Sequence, residues 1–217
     1  MIKIENVDCN GFDAAIRGMR NPMNSWDMSD SDWCSVTTAC DKHTESCDCG
    51  GYCVGETDLK LMKSLAHAGP DHGKFLRMIT VTLDITAPLY WWKEFDTYKV
   101  GTVANSCSTM HKIHAKEFAL EDFSHEHLTQ LSLSTLENVV DMLNNYRADF
   151  TLTKSKDDWW QLIQLLPSSY NQRRTVLLNY QVLKSMHNAR KHHKLDEWRD
   201  FCDFIRSLPY SELITSE

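Results

Sequence analysis

The chain has 217 residues, 42% hydrophobic and 10% aromatic, enough for one domain with a real core. Its 23 basic and 30 acidic residues leave a formal charge of −7, which argues against general nucleic-acid binding but allows a local basic pocket for one small phosphate. No run approaches the ~20 apolar residues of a membrane span, and Met1–Asn6 has no apolar signal core, so no membrane partner and a cytoplasmic location are expected.

The first 33 residues are polar and turn-rich, centred on Arg20-Asn21-Pro22-Met23-Asn24-Ser25-Trp26, and read as a loop that starts turns. Cys, Thr, Ser, Asp and Gly then dominate, with almost no aliphatic residue, so 34–53 reads as a Cys-rich loop inserted into a single domain spanning 1–217. A reducing cytosol makes a disulfide framework the weaker reading of its cysteines. Structural zinc suits a loop without apolar reason to fold, and Cys40, Cys47, Cys49 and Cys53 are the preferred ligands, with His43 a substitute. Their Cys-x6-Cys-x-Cys-x3-Cys spacing is not a paired Cys-x2-Cys signature, and a loop whose cysteines have no structural role stands beside it.

Thr57-Asp58 can cap a helix carrying Leu59, Met62, Leu65 and Ala66 on one face, ending near Gly69-Pro70. Ile79, Val81, Leu83 and Ile85 alternate with Thr80, Thr82, Asp84 and Thr86, which predicts a strand with one buried and one polar face. Ala87-Pro88 ends it and a helix follows through Leu89, Tyr90, Trp91, Trp92 and Phe95. Ser134-Thr135-Leu136-Glu137 has capping-box spacing and opens another. A short buried helix runs from Trp159 to Leu166 and stops at Pro167; a long one is predicted from about Tyr170 to Arg190, and a last one carries Trp198, Phe201, Ile205 and Leu208. The pattern is α/β or α+β, helix-rich with a central sheet.

On the predicted long helix, Asn179 and Arg190 lie eleven residues apart, about three turns, with Leu183 and Met186 between them on the same stripe. A polar group at each end of an apolar face suits a pocket that holds a base edge and a phosphate. A capped core Asn and an Arg facing the helix dipole is the plainer account.

Two segments, His72 to Met110 and Leu166 to Phe204, resemble the flavin-dependent thymidylate synthases. His72 takes the first histidine of that family's pattern, Ile79 to Ile85 its strand, Ala87-Pro88 its terminator and Trp91 to Asp96 its helix. Leu166-Pro167 matches the family's Leu-Pro, Asn179 its helix asparagine and Arg190 the arginine that ends that face. Thr97-Tyr98-Lys99 stands where the family has Arg-His-Arg, Asn105 where it has Glu, and Cys107, or Ser108 after a one-residue shift, where it has the active-site Ser. A single Lys cannot reproduce the bidentate phosphate contacts of lost guanidinium groups.

The resemblance implies a homotetramer that binds FAD, dUMP and methylenetetrahydrofolate and methylates the nucleotide with a hydride from reduced flavin. In that reading the catalytic residues are Lys99, Arg190, Cys107 and Ser108, and the cofactor is bound by His72, Lys99 and Asn179. The alternative is a non-catalytic nucleotide-binding or interaction protein on the same scaffold, with an eroded site.

Overall fold

The computed structural model describes residues 2–33 and 51–216. In chain order it contains β1 (Lys3–Asn10), α1 (Phe12–Arg20), β2 (Asp32–Trp33), β3 (Tyr52–Cys53), α2 (Glu56–His67), β4 (Thr80–Pro88), α3 (Leu89–Phe95), β5 (Val103–Ser106), α4 (Gln130–Thr153), α5 (Lys156–Leu165), β6 (Asn171–Asn179), α6 (Tyr180–Arg190), α7 (Asp196–Ser207) and α8 (Glu212–Thr215). A four-stranded sheet has the order β1-β4-β6-β5, and a small antiparallel pair aligns Asp32 with Cys53 and Trp33 with Tyr52. This is the expected α/β class. Among the described residues no helix is long and apolar enough to cross a membrane.

The alternation in β4 works as the sequence predicts. Val81, Leu83, Ile85 and Ala87 are at most 1% exposed, while Thr80, Thr82, Asp84 and Thr86 are only half-buried. The Tyr180 amide donates to the Ile79 carbonyl at one end of β4, and the Leu89 amide to the Tyr170 carbonyl at the other. Pairing start with end at both places means that β4 and β6 run antiparallel.

Two compact units make up the chain. The first comprises Met1–Ile4, Ile85–Thr97 and Asn105–Thr175; the second comprises Glu5–Asp84, Tyr98–Ala104 and Val176–Glu217. In the first, the α4–α5 hairpin buries Leu136, Val140, Leu143 and Leu162 together with Ile113, Phe118 and Phe123. Asn144 fixes the chain crossing this core, accepting from the Phe118 amide at 2.8 Å and donating to the Phe118 carbonyl at 2.9 Å. Trp91, Trp92 and Phe95 of α3 are fully buried, so the first tryptophan pair is core. The second is not, for Trp159 is half-buried and Trp160 is 40% exposed.

In the second unit α6 packs against α7, α8 and the 3-10 turn Gly73–Arg77. Leu183, Met186, Trp198, Phe201 and Ile205 are all fully buried there. Tyr180 opens α6 inside this core; its hydroxyl donates to the Pro209 carbonyl and accepts from the Cys9 thiol at 3.6 Å. Burial pushes the thiol of Cys9 up to about 11 and that of Cys202 likewise, so both behave as small apolar groups rather than nucleophiles.

Four readings of the sequence are corrected. The first 33 residues are not one loop, because β1 and α1 occupy most of them. The strand β1 is largely exposed and carries no apolar alternation, whereas Phe12, Ala15, Ile16 and Met19 give α1 a clear buried face. The stretch before Asn179 is the strand β6, not the first half of a long helix; Gln172, Val176 and Leu178 face inward at a period of two. The Ser134 capping box lies inside α4, whose cap is Thr129, accepting from the Ser132 amide at 3.4 Å. Thr57-Asp58 does not cap α2. Asp30 does so from a distance, accepting from the amides of Thr57 at 2.8 Å and Asp58 at 3.0 Å.

Asp58 is instead the centre of a buried polar knot. Its Oδ1 accepts from Arg20 Nε at 2.6 Å, the two side chains being 0% and 3% exposed. Its Oδ2 accepts from the hydroxyls of Ser29 and Ser31, each at 2.6 Å. Arg20 donates further to the carbonyls of Ser25 and Met28, each at 3.0 Å, so turns between α1 and β2 are tied to both helices. Both charges are fully hydrogen-bonded, the condition under which a buried pair is tolerated; removing one partner strands the other.

Asp58→Ala is therefore expected to destabilise the second unit by about 3–5 kcal/mol, read by urea unfolding; a loss under about 1 kcal/mol would contradict the knot. Burial alone would raise the Asp30 carboxyl, but the Thr57 and Asp58 amides outweigh it and hold it below its ordinary value. A depressed carboxyl adds stability above its unfolded pKa near 4 that is lost as pH falls through the folded value. Asp30→Ala should cost about 1 kcal/mol at neutral pH and make the melting temperature less sensitive to acid below about pH 4.

Candidate functional site

The residues singled out in the sequence fall into both units. His72, Lys99, Asn179 and Arg190 belong to the second, Cys107 and Ser108 to the first.

In the second unit a strap, Tyr98–Gly101, is tied to α6 at both ends. At the start of the helix, Asn179 accepts from the Val182 amide at 3.0 Å and is its N-cap. Its other amide atom, Nδ2, donates to the Gly101 carbonyl at 3.4 Å. Gly101 has φ +75, and an added Cβ would lie 2.5 Å from Asn179 Nδ2, so both conformation and space demand glycine there. At the end of the helix, Arg190 Nε donates to the Tyr98 hydroxyl at 3.1 Å. The guanidinium carbon sits 4.9 Å from the Trp198 ring centre and 5.8 Å from that of Tyr98. Arg190 thus lies against two aromatic faces, an arrangement that attracts a cation and holds it in place.

Asn179 and Arg190 are therefore not two groups on one helical stripe, as an uninterrupted helix would have them. Asn179 is the cap and Arg190 closes the last turn, and one strap links them. Lys99 lies on that strap with an exposed side chain. The capped asparagine and dipole-facing arginine of the plainer account are both present, and the same geometry gathers two cations at one loop. His72 is exposed at the head of the turn Gly73–Arg77, its amide bonded to the Gly69 carbonyl at 3.1 Å.

In the first unit Cys107 has an exposed side chain at the end of β5. Its backbone is pinned on both sides, the amide donating to the Arg173 carbonyl at 3.0 Å and the carbonyl accepting from Gln172 Nε2 at 2.7 Å. Ser108 Oγ accepts from the amides of Met110 at 3.2 Å and His111 at 2.9 Å, so this hydroxyl shapes a turn.

Sequence reasoning passed over Arg174. It lies on β6 with its guanidinium 4.2 Å from the Trp92 ring centre, Nη1 2.7 Å from Asp96 Oδ1 and Nε 3.0 Å from Gln172 Oε1. Gln172 is the residue that also holds Cys107, so a positioned arginine is one residue removed from the exposed thiol. Reading 170–190 as helix hid this; the signal was the inward alternation of Gln172, Arg174, Val176 and Leu178.

Among the described residues no group of three or more His, Cys, Asp or Glu side chains is placed to hold a metal ion. Of the expected zinc ligands, Cys40, Cys47 and Cys49, with His43, lie outside the described residues. Cys53 is disulfide-bonded, which removes the thiolate that zinc requires.

No family model and no curated protein matches the chain. Solved structures do. The flavin dependent thymidylate synthase ThyX from Helicobacter pylori, complexed with FAD and dUMP, is 16% identical, with a TM-score of 0.65, over 99% of this chain and 98% of that one. A second crystal structure of the Helicobacter pylori enzyme with FAD and dUMP is 14% identical, at a TM-score of 0.65, over 100% of this chain and 98% of the other. The UMP/dUMP methylase PolB from Streptomyces cacaoi, bound with 5-Br dUMP, is 14% identical at a TM-score of 0.67, covering 100% and 95%. Over its whole length the chain has the fold of the flavin-dependent thymidylate synthases.

Proposed function

We propose that the chain is an enzyme that modifies a pyrimidine nucleotide, in the manner of the flavin-dependent thymidylate synthases, by methylation of dUMP or a related reaction. The observation that carries this reading is the strap, which carries Lys99 and is tied to α6 at the capping Asn179 and the aromatic-clamped Arg190. Shared fold with three nucleotide-bound structures supports it. An anionic nucleotide needs cations whose positions are set before it arrives, since electrostatic stabilisation is strongest when no reorganisation is required. Arg190 meets that condition through Tyr98 and Trp198.

In this reading Arg190 and Lys99 face the negative charge of the nucleotide. FAD would be held from His72 and Lys99, whose side chains are exposed, while Asn179, with its amide engaged by Val182 and Gly101, holds the strap rather than the ligand. Reduced flavin supplies the hydride of such a methylation. Cys107, exposed and held by Gln172 beside Arg174, is a candidate reactive thiol, and Ser108 acts by shaping the turn after it. Assembly into a homotetramer belongs to the same proposal.

A second reading, a nucleotide-binding protein without turnover, is favoured by one observation: Tyr98 stands where the related enzymes carry histidine in their cationic triplet, and its hydroxyl already engages Arg190. Turnover separates the two. Purified protein mixed with FAD, a reductant, methylenetetrahydrofolate and dUMP is expected to form dTMP, and Arg190→Ala to lower the rate by about 10²–10³-fold. Binding of dUMP by a protein that never turns it over would leave the second reading standing; absence of both flavin and nucleotide binding would remove the two together. Light scattering on a sizing column is expected to give four times the 25.1 kDa of one chain, and a monomer would reject the tetramer.

A further inference from the structure

One polar group in the core of the second unit has no structural partner. His187 shares the buried face of α6 with Tyr180, Leu183 and Met186 and is 3% exposed. Neither of its ring nitrogens has a hydrogen-bond partner. A neutral imidazole carries one donor and one acceptor, and leaving both unmet in a dry core already opposes folding. An imidazolium in the same place would carry two unmet donors and a full charge.

The surroundings oppose that charge. Burial, followed by the charge of Arg206 on α7 and that of Lys191 one turn along α6, holds the imidazole below its ordinary value; the Asn188 side chain beside it gives weaker support to the charged form. Among the described residues no carboxylate acts on the ring. Of the acids on α7, Asp196 pairs with Arg199 and Asp203 with Arg206, while Asp200 lies in the field of Asp196, Glu197 and Asp203. The Cys202 thiol, also on α7, is pushed up to about 11 and stays neutral. On α8, Glu212 pairs with Lys63 of α2 at 3.3 Å, and the turn Gly73–Arg77 brings only the cations Lys74 and Arg77.

The same pair of helices carries the hold on Arg190. His187 and Arg190 both belong to the last turn of α6, and Trp198, whose ring backs Arg190, opens the helix that ends with Arg206. A charge that drives α6 away from α7 at His187 therefore also moves Arg190 from its aromatic support. We propose that His187 is an acid-sensitive latch between α6 and α7: taking up a proton parts the two helices at this end and loosens the hold on Arg190. The inference rests on the packing of α6 against α7 and not on the nucleotide reading.

Once the helices part, the ring titrates at its ordinary value near 6.5, while in the closed form it titrates lower. The closed form therefore has its full advantage above about pH 6.5 and loses it as the pH falls below that value. Hydrogen exchange of the full chain, read by mass spectrometry over α6 and α7 and corrected for the intrinsic effect of pH, measures the opening. The opening constant of the wild type relative to that of His187→Leu is expected to rise by up to about tenfold for each pH unit below about 6.5. His193, whose Nδ1 accepts from the Leu195 amide at 3.2 Å in the connection to α7, is intact in both proteins, so its own response cancels. Should leucine not pack, His187→Met supplies the same comparison. In the folded wild type, the ring proton resonance that is lost in His187→Leu is expected to titrate below about 6.5. A ratio that stays flat with pH, or a ring that titrates at or above its ordinary value in the folded chain, overturns the inference. Acid-induced exchange confined to α6, with the turn at Trp198 still protected, overturns the link to Arg190. No nucleotide or flavin enters the measurement, so its failure is distinct from failure of the turnover assay.

Discussion

The junction at Asn179 is the constraint on which the candidate site depends. There the chain changes from the strand β6 to the helix α6 without an intervening loop, and the helix begins with unpaired amides that need an acceptor. Asn179 supplies it for Val182, and the same side chain reaches out to the Gly101 carbonyl. One residue thus sets where α6 starts and where the strap lies. From there the spacing to Arg190 is fixed by helix geometry, about 1.5 Å per residue, and Tyr98 falls where it can meet that arginine.

What holds the cation at the far end is a mixture of forces. The Tyr98 hydroxyl gives direction, and the faces of Tyr98 and Trp198 give attraction. On β6, Arg174 is held by the Trp92 face together with the carboxylate of Asp96. Both arginines are thus fixed by aromatic faces before any ligand arrives.

Much of the fold could be read from the residues, and the failures share a cause. β4 and α3 were legible because burial on one face leaves a period in the sequence, and Ile79 to Phe95 carries it without interruption. α7 was legible from Trp198, Phe201 and Ile205 for the same reason. By contrast β1 is mostly exposed, so nothing in Lys3–Asn10 marks it as a strand. β6 was misread because the apolar residues of α6 follow it immediately and the helical period of the second masks the two-residue period of the first. Of the site, Asn179 and Arg190 were found but given the wrong relation, since residue spacing becomes distance only after the element is known. Lys99 was placed by resemblance alone. The Tyr98 contact, Arg174 and the knot of Arg20 with Asp58 depend on residues far apart in the chain, and no local pattern announces them.

The way α2 is capped bears on how the second unit comes apart. Its first amides are held by Asp30, 26 positions before the helix begins at Glu56, and the Asp58 side chain of that same first turn by Arg20 still further upstream. A helix whose end groups are satisfied by its own neighbours can fray and reform alone; this one has no such local insurance. Its twelve residues have little helical stability as an isolated peptide, so α2 and the segment that carries Arg20 and Asp30 must melt in a single cooperative step.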